Sequence, residues 1–427
     1  MCSSTRHFRF LKVPAAIDTS AQANCFGWQA AFLGVGALLV PQYANAHVKW
    51  FSKMATCLNT PLTPLEILGS PIFLYLAVLA LAMILTVAFI DDRLVSSSAR
   101  VSYLARRVDE RMTSLVSPVL RIGMAFYFVA MPLYFWQSPI FLTPELHTSV
   151  PLIPEFQLTI AVLLLFRRTV LLAALGIALL FAGSVLSFGV FHMLDYQFFI
   201  GFIAFLVVDS TNLLKDKRLA LTILRVTLSA SFLWVSVEKW AYPAWTDELV
   251  THDLHQILMN FQPKFFVTAS GFVEFSLAFV LLFGRVASQI AAAVFLLLLS
   301  MAIPLVGAVD AIGHLPIILI LFVLSTTKNT VGSTFQTVDT LNYAQHAMLF
   351  AGSIFGLVGA YYLSHEVAYH GTRYQNVEAV FSAVLLTLYL VRGAAKMICR
   401  KVKMVDFLKE RTTTVAWFWN CVVKRVL

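Results

Sequence analysis

Long apolar stretches recur along this chain, separated by short polar breaks. A run of about twenty apolar residues is long enough to cross a lipid bilayer as a helix. Composition agrees, because 59% of the 427 residues are hydrophobic and only 12% are charged, with a mean hydropathy of +0.81. So few polar groups cannot cover a water-facing surface. The sequence therefore predicts an all-α fold, a polytopic bundle of transmembrane helices whose main partner is the lipid bilayer.

Eleven apolar windows are candidates for membrane spans. Two of them, 150–166 and 196–208, are interrupted by proline and glutamate or are short, and either is consistent with a broken or re-entrant helix. We therefore predict about eleven spans in the mature protein. The nine clear windows are 71–90, 118–136, 169–188, 219–237, 266–283, 286–303, 313–324, 347–363 and 377–391.

The first forty-six residues resemble an export signal. A basic stretch precedes an apolar run at 28–40, and Ala44-Asn45-Ala46 matches the A-x-A cleavage pattern. Cleavage would make His47 the first residue, and its α-amine and Nδ1 could then hold copper(II) together with another imidazole. The alternatives are an uncleaved anchor, and a His47 that merely marks where the peptidase cuts.

Basic residues predict the orientation of the spans. With the mature amino terminus outside, every inner loop carries positive charge, as expected of cytoplasmic loops. The net charge of +9 is thereby explained without a nucleic-acid partner. We expect a bacterial-type inner (plasma) membrane protein with a cytoplasmic carboxyl terminus and a basic amphipathic tail at 394–427. Trp136, Trp240 and Trp245 fall at the predicted outer boundary, which indole rings favour.

Histidines gather on the predicted outer face. Several have carboxylates at helical spacing, as in the pairs His192/Asp195 and Asp310/His314, an arrangement that suits metal ligation or proton transfer. His47, His192, Asp195, His252 and His255 are the candidate metal ligands. Outer loops that are simply polar are the alternative explanation. The outer-face histidines are His47, His147, His192, His252, His255, His314, His365 and His370.

Glu274 lies about eight residues, or roughly 12 Å, inside its predicted span. An isolated charge at such a depth costs on the order of 3 kcal/mol, so an ionisable residue there indicates a functional site. Lys239, at the end of the preceding span, is the nearest candidate partner, and Glu238 lies beside it in sequence. A protonated, hydrogen-bonded Glu274 with a packing role is the alternative.

These residues carry a resemblance to a known family. Arg225, Lys239, Glu274, Gly284 and Arg285 match positions that DoxX-like membrane proteins usually hold as Arg, Lys, Glu, Gly and a basic residue. The resemblance covers about a quarter of the chain, 219–324, and departs from the family near 235–236, where glycine is common. It implies a four-helix unit at 219–327, with five spans before it in 47–218 and two after it in 328–393.

Some DoxX-like proteins are implicated in quinone-linked oxidation of sulfur compounds or in membrane redox homeostasis. The resemblance therefore implies an outer-face pocket that handles a quinone or its protons, alone or with a redox partner. We assign Glu274, Lys239 and Glu238 as catalytic candidates, with Arg225, Asp310 and His314 as contacts to the quinone. Copper binding or transport through His47 and outer-face histidines is a second hypothesis, and a structural subunit of a membrane complex is a third.

Overall fold

The computed structural model describes residues 60–96, 99–211, 217–252, 261–329 and 343–369, without the side chains of 95–111, 217–218, 248–250, 252, 302 and 305–306. These residues form helices and one isolated antiparallel bridge between Ile140 and His147. The predicted signal 1–46, the predicted span 377–391 and the predicted tail 394–427 lie outside this part of the chain. Thirteen α-helices occur in it: α1 Pro64–Leu68, α2 Pro71–Ser96, α3 Ala99–Tyr134, α4 Ile153–Leu165, α5 Val170–Phe188, α6 Val190–Met193, α7 Gln197–Thr211, α8 Lys217–Ala241, α9 Pro243–His252, α10 Pro263–Phe283, α11 Val286–Val306, α12 Ala308–Thr326 and α13 Tyr343–Tyr369.

Eight helical stretches in the described residues are long and apolar enough to cross a membrane. The weak window at 196–208 belongs to one of them, because the helical stretch extends from Val190 to Thr211. The weak window at 150–166 contains only the 13-residue α4, about 20 Å long against a hydrocarbon core of about 30 Å. The apolar part of α11, Val286–Met301, is also shorter. The coarse fold prediction is confirmed, and the count of about eleven spans stays a prediction.

Helix ends follow local sequence signals. At α1, the side chain of Thr63 accepts from the backbone N–H of Glu66, whose carboxylate accepts in turn from the N–H of Thr63. Single glycines with positive φ, Gly189 and Gly307, separate α5 from α6 and α11 from α12. Glycine tolerates this backbone conformation without steric cost, so the chain changes direction within one residue.

Helix α8 lies at the centre of the packing, in contact with α7, α10 and α13. Contacts between the helices bring their ends together in two groups. We call one group the histidine end, because it includes His147, His192, His314 and His365. The other is the arginine end, which includes Arg93, Arg167, Arg168 and Arg285.

The arginine end is held together by side chains that bond to backbone groups of other helices. Asp91, at the end of α2, accepts from the backbone N–H groups of Arg285 and Ala287 at 2.7 and 2.9 Å, and so caps the start of α11. Asp92 pairs with the Arg285 guanidinium at 2.9 Å. A carboxylate at a helix amino terminus also interacts favourably with the helix dipole.

Indole rings at the histidine end serve mainly to pack the bundle. Trp240 and Trp245 are buried, and Trp245 stacks on Tyr242 at 3.9 Å between ring centroids. Trp136, in contrast, is half exposed. Of these three tryptophans, therefore, only Trp136 has the exposed ring that is expected of a residue at the membrane boundary.

Candidate functional site

A cavity of about 490 Å³ opens among α7, α8, α10, α11 and α12 near the histidine end. Its walls are largely aromatic and aliphatic, and Phe232 and Phe295 stack there with centroids 4.1 Å apart. Ionisable side chains from four stretches of the chain converge on it. They include six predicted site residues: Asp195, Glu238, Lys239, Glu274, Asp310 and His314.

The Lys239 and Glu274 side chains form an ion pair across the cavity wall. Lys239 lies in the last turn of α8, and its Nζ donates to Oε1 of Glu274 on α10. The two side chains are 15% and 27% exposed, so both are partly buried. The sequence-based expectation that Lys239 offsets the charge of Glu274 therefore agrees with the observed geometry.

Glu238 points toward a different helix although it is adjacent to Lys239. It is buried, and its Oε2 accepts a hydrogen bond from the Tyr361 hydroxyl of α13 at 3.3 Å. Because it also lines the cavity, Glu238 links the cavity wall to α13.

Asp310 and His314 occupy one face of α12, one helical turn apart. Nδ1 of His314 lies 2.8 Å from Oδ1 of Asp310, and the Asp310 side chain is completely buried. Helix α12 begins directly after Gly307, so the dyad lies within its first two turns. The helix begins five residues before the apolar window predicted at 313–324, because the turn at Gly307 permits helix from Ala308 although Asp310 and Gly313 weaken the apolar signal.

A second polar cluster adjoins the cavity, and sequence reasoning missed its central residue. Oε1 of Glu145 lies 2.9 Å from Nε2 of His192 and accepts from the Tyr196 hydroxyl. Tyr196 and Asp195 both line the cavity. Glu145 sits in the loop after α3, and its only sequence signal is a carboxylate close to His147 in an otherwise apolar segment.

Arg225 lies apart from the cavity, near the arginine end. Its guanidinium donates to the Leu281 carbonyl at 3.4 Å, to the Ser288 hydroxyl, and to the Thr327 carbonyl at 3.3 Å. It therefore joins α10, α11 and the residue that follows α12. Its predicted contact with a quinone stays a prediction that this position does not support.

No group of three or more metal-ligating side chains is placed to hold an ion within the described ranges. Of the predicted metal ligands, His192 and Asp195 lie at the histidine end, near the cavity wall. His47 and His255 lie outside the described residues, and the backbone of His252 ends α9. The copper hypothesis stays a prediction.

Two apolar residues of the cavity wall are also exposed. Val273, midway along α10, and Leu298, midway along α11, both line the cavity and are 50% and 45% exposed. In a helix that lies in a membrane, apolar side chains exposed at this depth are expected to face hydrocarbon. A ligand could therefore enter sideways from the membrane, between α10 and α11.

A scan with protein-family models, a search of curated proteins and a search of solved structures each find no match to this chain. The class of protein, an integral membrane protein built as an α-helical bundle, is defined by the apolar helices alone.

Proposed function

We propose that this chain is a redox-associated, DoxX-like protein of the bacterial-type inner membrane, and that its cavity binds the headgroup of a quinone and exchanges protons with it. In this proposal the histidine end faces outward and the arginine end faces the cytoplasm. A redox partner supplies or accepts the electrons.

One observation carries the proposal: ionisable groups converge in an apolar cavity whose wall includes Val273 and Leu298, two apolar residues that are exposed midway along their helices. A quinone matches both properties, because its isoprenoid tail is lipid-soluble and its flat headgroup carries polar oxygens. Phe232 and Phe295 offer apolar faces to the ring, while Lys239 and Glu274 offer charge. A water-soluble substrate would not need exposed apolar residues such as Val273 and Leu298 in the wall of its site.

The chemistry of quinones requires groups of this kind. Reduction of a quinone to a quinol takes up two electrons and two protons, so a site that promotes it must donate and accept protons close to the ring. Carboxylates and imidazoles are the side chains suited to that task. The cavity offers Glu274, Asp310 and His314 for it. Lys239 stabilises negative charge that develops on a quinone oxygen.

The test is the substitution Glu274→Gln. It retains the size of the side chain but removes the charge that pairs with Lys239, and we expect at least about a tenfold loss of quinone affinity together with loss of quinone-dependent turnover. Affinity is measured by calorimetry on purified protein in lipid nanodiscs. Glu155→Gln, at an exposed position in the first turn of α4, is the matched control.

Both variants should give the same elution volume and similar unfolding temperatures as the unmodified protein. Unchanged affinity and turnover in Glu274→Gln would refute the proposed role of this cavity. That result would instead favour a packing role for Glu274, as expected if the protein is a structural subunit of a membrane complex.

A further inference from the structure

Asp310 is an unusual member of the cavity wall. Its side chain has no exposed surface, and within the described part of the chain neither of its carboxylate oxygens has a hydrogen-bond partner. Its sole ion-pair contact among those residues is Oδ1 with His314. A buried carboxylate oxygen without a partner costs free energy. Such an atom in a cavity wall indicates a ligand that completes its hydrogen bonding.

Whether Asp310 donates or accepts hydrogen bonds restricts the chemistry of that ligand. Oδ1 of Asp310 faces Nδ1 of His314 at 2.8 Å in the arrangement of an ion pair, and we treat Asp310 as the carboxylate of that pair. A carboxylate only accepts hydrogen bonds. The ligand must therefore present a donor to Asp310.

The two redox forms of the proposed ligand differ in this property. A quinone carries carbonyl oxygens, which only accept, and a carbonyl facing a carboxylate leaves both without a donor. A quinol carries hydroxyl groups, which donate. We infer that the cavity selects the reduced form, a quinol, with one hydroxyl donating to the Asp310 carboxylate. This inference rests on the proposed function and names the redox state of its ligand.

The remaining walls are compatible with this assignment. The quinol is neutral, as the apolar and aromatic lining requires, and it places no second cation beside Lys239, which already pairs with Glu274. An ammonium ligand would also donate, but it would carry its positive charge into a largely apolar cavity. A neutral donor has the smaller desolvation penalty.

Three short-chain ligands test the inference by equilibrium dialysis against the full chain in nanodiscs under anaerobic conditions: a quinol, the corresponding quinone, and the quinol dimethyl ether. We expect the quinol to bind at least about tenfold more tightly than the other two, because only it carries hydroxyl donors. The ether is the matched control for size and ring shape.

The substitution Asp310→Asn supplies an amide donor in place of the carboxylate at the same size. It should weaken quinol binding and strengthen quinone binding, which reverses or abolishes the preference. Asp247→Asn, at a position of α9 that does not itself line the cavity, should retain the preference of the unmodified protein.

The outcomes are distinguishable. Equal affinity of the unmodified protein for quinol and quinone overturns the selectivity while leaving quinone-class binding intact. Failure of all three ligands to bind above the level of empty nanodiscs overturns the proposed function itself. The comparison on the unmodified chain decides the matter even if Asp310→Asn does not fold.

Discussion

The Lys239–Glu274 pair and Arg225 are charged groups that find their partners in two different ways. Lys239 and Glu274 neutralise one another at the cavity wall, whereas Arg225 donates to neutral oxygens of three separate segments near the arginine end. The planar guanidinium has five N–H donors in a fixed arrangement, so it can reach several acceptors at once. Arg225 therefore acts as a clamp, by which we mean that it holds three segments together. The Lys239–Glu274 pair, in contrast, lies where a ligand in the cavity can contact it.

The clamp predicts that Arg225→Lys lowers the free energy of unfolding by about 1–3 kcal/mol, because the point-like ammonium leaves buried acceptors without donors. Thermal unfolding of the purified protein in detergent measures the change. Arg168→Lys, at an exposed position of the same end, should have no effect. If the two variants unfold at the same temperature, Arg225 does not hold these helices together.

Close packing of particular helices decides where the cavity forms. Helices α7 and α8 approach so closely at Gly201 that a Cβ there would lie 1.8 Å from Oγ1 of Thr227. This contact holds α8 against α7, and Phe198 on α7 and Leu228 on α8 both line the cavity. A small residue at a membrane helix crossing allows such close approach. The sequence shows Gly201 but does not show that it packs against Thr227, because the two residues lie on different helices that meet only in the folded structure.

Gly201→Ala should therefore push α7 and α8 apart and destabilise the fold by about 1–3 kcal/mol. The unfolding temperature in detergent is the measurement. Adding Thr227→Ala removes the hydroxyl that the new methyl group meets, so the double variant should recover part of the loss. A double variant no more stable than Gly201→Ala would show that the strain arises elsewhere.

In the described part of the chain, arginines and histidines are unevenly distributed along the helix axes. Imidazoles such as His192 and His314 lie toward one end, and arginines such as Arg168 and Arg285 lie toward the other, where Asp91 and Asp92 also lie. Cytoplasmic loops of membrane proteins carry the excess of basic residues. This arrangement supports the proposed orientation, with the cavity near the outer surface.

Cysteine labelling tests the orientation in intact cells. In a variant whose five native cysteines are replaced by serine, Ser149→Cys at the histidine end should react with a membrane-impermeant maleimide. Arg168→Cys should react only after the membrane is permeabilised, because its loop is expected to face the cytoplasm. The reverse pattern would invert the topology and place the cavity on the cytoplasmic side.

The class of fold and the chemical character of the site were predictable from the sequence, because apolar runs and intramembrane charges are local signals. A buried charge such as Glu274 stands out in any apolar window, and Asp310 and His314 are paired by helical spacing alone. Glu145 was not predictable as a site residue, since its contacts with His192 and Tyr196 depend on where a loop folds back over the bundle.

The sequence by itself determined that this protein is a helical bundle in a membrane and which residue types its polar site contains, because hydropathy and helical periodicity depend only on neighbours along the chain. Only the tertiary structure decided that Arg225 lies apart while Lys239, Glu274 and Asp310 share one cavity. Those relations depend on helix crossings and on which side of each helix faces its neighbours, and contacts between distant segments determine both.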